Sequence, residues 1–167
     1  MATYNQWMNE SIYSAARKLP PSELEADKKA FFGSILGTLN HIAVGDTIWL
    51  KRFSNHPANY NALNQFEAKT PSALDEQLFL DIEALYQYRK SLDGVISEWA
   101  STITEPDLEV VLNYKSMKGI GSSKNFYSLI MHFFNHQTHH RGQASTLLFQ
   151  SGIDVGVTDL VAIIPNE

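Results

Sequence analysis

The sequence predicts an all-α protein, a four-helix bundle with a short hairpin or extended crossover before the last helix. Three observations predict it. Four long segments carry apolar residues at helical spacing. Breaks rich in proline, asparagine or glycine separate them. Only the stretch 108–121 alternates as a strand does.

The first helix is expected over 3–18, where Tyr4, Met8, Ile12 and Ala16 recur every four residues, with Trp7 and Ala15 beside them. Pro20 and Pro21 end it, and a turn over 22–25 follows. A second helix is expected from about Lys29 to Phe53, with Phe32, Ile35, Leu36, Leu39, Ile42, Ala43, Leu50 and Phe53 on one stripe. Asn55, Pro57, Asn59 and Asn61 then form a polar loop. A third helix is expected to open at Thr70, Pro71 and Ser72, with Asp75 completing a weak capping box. Its stripe is Leu74, Leu78, Ile82, Leu85, Leu92, Ile96 and Trp99. Val110, Leu112 and Tyr114, followed by Gly119 and Gly121, mark the hairpin. The fourth helix is expected from about Lys124 to Gln150, stopped by Ser151 and Gly152. The tail GVTDLVAIIPNE is apolar enough to pack back on the helices.

With 167 residues, the chain is expected to form one domain, 1–167, large enough to fold without staples. It has no cysteine, which excludes disulfides, a thiol nucleophile, zinc fingers and iron–sulfur clusters. A net charge of -5 argues against nucleic acid as a partner. No stretch approaches the ~20 apolar residues of a membrane span. The opening MATYNQWMNES has no basic region followed by an apolar one, so a cytoplasmic protein is expected.

Chemistry concentrates in HFFNHQTHHRGQ, residues 132–143, which holds four of the six histidines. At about 100° per residue, His140 lies inside the stripe of Phe126, Leu129, Ile130, Phe133, Ala144, Leu147 and Leu148, and His136 lies at its edge. His132 and His139 fall further round and are read as surface residues or as supports behind the ligands. Two inward imidazoles one turn apart can share a cation. The pattern is not that of a zincin, because Gln137 stands where the general-base glutamate would be. The E-x-x-H repeat of di-iron bundles is absent as well.

A third ligand should come from another helix. His56, beside Pro57 in a loop, is assigned to solvent. His41 falls nearly opposite its helix's apolar stripe, on a strip with Ser34, Gly37, Val44, Gly45 and Ile48. The glycines leave room for a pocket, while plain exposure on a polar face fits the wheel equally well. Asp46 falls inside the apolar stripe and needs a partner, either a histidine that it orients or Arg141. Asp46, Gln137, Gln143 and Tyr114 are the candidates to support the ligands, and no catalytic residue is assigned.

LNHIAVGDTIWLKRF and LIMHFFNHQTHHRGQ resemble the corresponding blocks of the DinB/YfiT-like family of metal-dependent bundle proteins. The resemblance extends to YNQWMNESI, NYKSMKG and VTDLVAII, and so to nearly the whole chain. It implies an up-down-down-up bundle with a histidine triad near one end, which falls on His41, His136 and His140.

Such a site suits one divalent transition metal ion, zinc or nickel first, rather than magnesium or calcium. Three protein ligands leave a position open, which is the mark of a catalytic site. The expected function is that of a metalloenzyme activating water or a low-molecular-weight thiol, as a hydrolase or a thiol S-transferase. The resemblance favours the second. The alternatives are a non-catalytic metal-binding, sensing or stress-related module, and a plain interaction bundle. The expected partners are a small-molecule substrate or thiol and a second copy of the chain, with neither nucleic acid nor membrane.

Overall fold

Ser34 decides where the second long helix begins. Its hydroxyl oxygen accepts from the Gly37 N–H at 2.9 Å, satisfying one of the free donors of the first turn. The expected start at Lys29 is corrected. Lys29 adopts φ +55°, Gly33 adopts φ +74°, and Ala30 bridges to Gly33. A helix cannot run through such conformations. Phe32 therefore belongs to a loop, not to the helical stripe.

The computed structural model describes residues 1–166. The long helices are α1 (Ala2–Ala16), α3 (Ile35–Phe53), α5 (Ile82–Thr102) and α7 (Phe126–Gln150). Short helices α2 (Pro21–Glu25), α4 (Asn61–Asn64) and α6 (Glu105–Leu108) lie between them, and a 3-10 turn (Leu160–Ile163) closes the chain. α3 packs against α7 and α5, and α1 packs against the same two. The protein is thus mostly helical with one small sheet. Strands β1 (Val111–Lys115) and β2 (Gly121–Asn125) pair antiparallel, Tyr114 opposite Ser122.

The third long helix also starts later than expected. Asp81 caps it, accepting from the Ala84 N–H at 2.8 Å. Ser72 bonds Glu76 rather than Asp75, at 2.6 Å and 2.7 Å. Tertiary bonds hold the preceding segment out of helix. The Asn40 amide clamps both backbone groups of Phe79, at 2.9 Å and 3.0 Å. Leu74, expected in the stripe, is exposed, and its carbonyl reaches back to α3.

Asn125 caps α7 by accepting from the Ser128 N–H. Gly152, at φ +81°, lets Ile153 N–H reach the Leu148 carbonyl at 3.0 Å and stops the helix. The tail packs back in part. Tyr4 donates to the Thr158 carbonyl, and Val155 and Ile163 touch the core. Val157, Val161 and Ile164 stay exposed.

The core has two ends. At one, Phe53, Trp99, Phe126 and Phe133 are fully buried, with ring centroids 5.1–5.7 Å from that of Phe53. At the other, twelve residues back along α3, stands His41. No helix among the described residues is long and apolar enough to cross a membrane.

Candidate metal centre

Helix α3 is buried almost all round, from Ile35 to Ile48. A wheel with one wet face therefore cannot place His41, which is only 6% exposed. α7 brings His136 and His140 to it, both half-buried. His41 Nε2 lies 3.3 Å from His136 Nε2 and 3.2 Å from His140 Nε2. One nitrogen from each ring lies within 4.8 Å of the others.

Two ring orientations are fixed from behind. The Leu74 carbonyl can only accept, so His41 Nδ1, at 2.7 Å, carries the proton. Gln143 Oε1 likewise accepts from His140 Nδ1 at 2.7 Å. The inward Nε2 atoms of His41 and His140 are then both lone pairs, and two acceptors cannot bond each other. A cation between them resolves the conflict. Tetrahedral bonds of ~2.0–2.1 Å place ligand nitrogens about 3.4 Å apart, close to the spacing here. The cluster could hold a divalent metal ion.

Two glycines of α3 leave space for this arrangement. A Cβ on Gly45 would stand 2.8 Å from His136 Cε1, and one on Gly37 would stand 2.2 Å from the Phe32 carbonyl oxygen. Phe32 lies flat on His41, centroids 3.8 Å apart, and meets His140 edge-on.

Burial favours neutral rings, as ligation requires. It lowers the pKa of His41, against the Leu74 hydrogen bond. It lowers that of His140, against the Gln143 bond. His136 falls to about 3, first through burial and then through the neighbouring histidines.

Other expected residues lie elsewhere. Asp46 neither orients a histidine nor pairs with Arg141: it is fully buried and pairs with Arg89. Arg89 also holds Asp93 at 3.0 Å. Asn5 and Asn9 donate to Asp93 at 3.2 Å and 2.8 Å, and both accept from Arg141. Two acids and two arginines thus form a buried polar layer that balances in formal charge. Burial raises the Asp46 pKa and Arg89 opposes it. Gln137, fully buried, also helps hold the carboxylate down, although neither of its polar atoms closes a bond of regular geometry. Tyr114 packs on Trp49, 5.3 Å between centroids, away from the triad. His56 is not a solvent residue. It is 3% exposed, stacked between Tyr60 and Phe126, and bonded to the Asp107 carbonyl at 3.2 Å. His132 and His139 are exposed.

Sequence reasoning missed Arg89, Asp93, Asn5, Asn9, Leu74 and Phe32. Arg89 had a signal, since it lies about 40° from Leu85 inside the stripe of α5. Leu74 and Phe32 had none, because both act from irregular segments.

A mostly helical protein with three imidazoles converging from two helices is the class these features define. The chain belongs to the DinB family, whose sequence profile matches residues 1–166. It is 27% identical to Protein DinB of Bacillus subtilis (strain 168), over 93% of this chain and 87% of that protein. Its fold is similar to the crystal structure of a DinB-like protein from Bacillus cereus ATCC 10987, with a TM-score of 0.60 at 22% identity over 90% of each chain.

Proposed function

We propose that this DinB-family protein is a metalloenzyme that holds one divalent transition ion, zinc or nickel, on His41, His136 and His140. The observation that carries the reading is the convergence of inward lone pairs, two of them fixed by Leu74 and Gln143. The fold of this reading is the up-down-down-up four-helix bundle. A bound ion with three protein ligands supplies Lewis acidity at an open position.

The surrounding residues favour a thiol over water as the nucleophile. Among the described residues no carboxylate joins the cluster, and Asp46 is held by Arg89. Asp75, next to Leu74, acts on His41 only through its charge. Amide or ester hydrolysis needs a general acid to protonate the leaving group, even though an ion can ionise its bound water unaided. A thiol, with an ordinary pKa of ~8.5, also ionises beside a cation and needs no such acid when the group it displaces is a halide. Phe32 shields one side of His41 from water.

The test is transfer of a low-molecular-weight thiol to an aryl halide by zinc- or nickel-loaded protein. Metal-dependent turnover that disappears in His140→Ala is expected. Stoichiometric metal binding with no turnover across a panel of thiols, amides and esters would leave a non-catalytic metal-binding or sensing module.

A further inference from the structure

Helix α3 ends in two cations, Lys51 and Arg52. Arg52 is half-buried, its guanidinium carbon 4.6 Å from the Trp49 ring centroid and 5.0 Å from that of Tyr114. Among the described residues it makes no ion pair, and only its backbone carbonyl takes part in a hydrogen bond outside the helix. The two ring contacts hold the guanidinium in place but satisfy none of its five N–H donors. Burial lowers its pKa with only the Tyr114 phenol opposing, so no carboxylate supports the charge.

Arg52, Lys51 and Lys115 of β1 line one cleft of about 250 Å³, with Thr47, Asn55 and Thr70 among its other walls. Among the described residues no acidic side chain lines it, and neither lysine is in an ion pair. Three unpaired cations in one cleft stand out in a chain of net charge -5. The larger cleft beside Phe32 differs, because its two lysines are already held, Lys28 by Glu23 and Lys29 by Asp27. A chain of rings links the neighbourhood of the basic cleft to the triad. The His132 ring lies 5.1 Å from Trp49 and 5.9 Å from His136, which makes one aromatic wall between them.

We infer that this cleft binds the phosphate or carboxylate group of a small molecule, with Arg52 as the forked donor and Lys51 and Lys115 as flanking charges. The anchored molecule extends along the aromatic wall towards the histidines. His41 and Arg52 are eleven residues apart on one helix, or ~16 Å at its rise per residue.

The experiment is an NMR titration of the metal-free protein with sodium phosphate and, separately, sodium succinate, at fixed ionic strength. Saturable shifts of the Arg52 Nε–H and Trp49 Nε1–H signals are expected with at least one anion. Arg52→Gln should weaken binding about tenfold or more, read at Trp49. Arg17→Gln, whose guanidinium is held by Glu83, should leave it unchanged. Saturation by phosphate alone assigns a phosphoryl group, and saturation by succinate alone assigns a carboxylate. Should Arg52→Gln not fold, Lys51→Gln with Lys115→Gln must weaken binding in its place. Failure of both anions to saturate, or equal affinity in the variants, overturns the inference. Because no metal is added, failed zinc binding at the triad would leave this result standing.

Discussion

Gly45 faces His136 so closely that a methyl group at residue 45 would stand 2.8 Å from the imidazole Cε1. The contact is with the tip of a side chain, so the ring moves rather than the helix. Gly45→Ala should therefore keep the fold, helped by the ~0.5–1 kcal/mol that alanine gains over glycine inside a helix. Zinc affinity should fall about tenfold or more as His136 leaves the shared point, since metal sites tolerate little displacement. Titration calorimetry beside a thermal melt separates the two effects. Gly37→Ala should behave differently, because its methyl group would meet the Phe32 backbone at 2.2 Å. That variant should lose thermal stability.

Gln143 fixes the proton of His140 on Nδ1 through its side-chain oxygen. Removing that acceptor in Gln143→Leu frees the ring to turn or to change tautomer. Loss of such a supporting bond typically costs ~10–100-fold in metal affinity. The expected outcome is a fall of that order with unchanged far-ultraviolet circular dichroism. Unchanged zinc affinity would mean that Gln143 does not orient the ring.

The depressed pKa of His136 sets a pH dependence. Folded, it titrates near about 3; unfolded, near ~6.5. Between those values the unfolded chain binds more protons, so stability falls as pH drops below about 6.5 and is unaffected above it. Asp46 and Asp93, whose pKa values burial raises, act in the opposite sense. A difference between two proteins cancels them. The melting temperature of His136→Gln should gain on that of the wild type as pH falls from 7 to 4. Parallel curves would show that His136 is not held neutral in the native state.

The long apolar stripes were legible in the sequence because a helix repeats its own pattern. The hairpin and the C-terminal end of α7 followed from local turn chemistry at Gly119 and Gly152. The apolar spacing predicts helix over residues 29–34 and 72–81 as well, but there the deciding forces are tertiary. Asn40 and His41 draw the later segment onto α3, and Phe32 stacks on His41. The wheel for α7 placed His140 and His136 inward. The wheel for α3 leaves His41 undecided between pocket and surface, because a rod buried on every side has no polar face. The stripe position of Asp46 calls for a partner, but Arg89 lies forty-three residues away and no local pattern names it.

That partnership supports the last prediction. Arg89 is 1% exposed and bridges Asp46 and Asp93. Truncating it in Arg89→Met leaves two buried carboxylates without their shared cation, and breaking such a pair typically costs ~3–5 kcal/mol. In the double variant Asp46→Leu with Arg89→Met, Asp93 keeps Asn5 and Asn9, with Arg141 bonded beyond them. Urea denaturation should therefore find the double variant more stable than Arg89→Met alone, because no unpaired charge is left at residue 46. If the single variant lost no more than the double, Asp46 would already be protonated in the native state. Arg89 would then serve Asp93 alone.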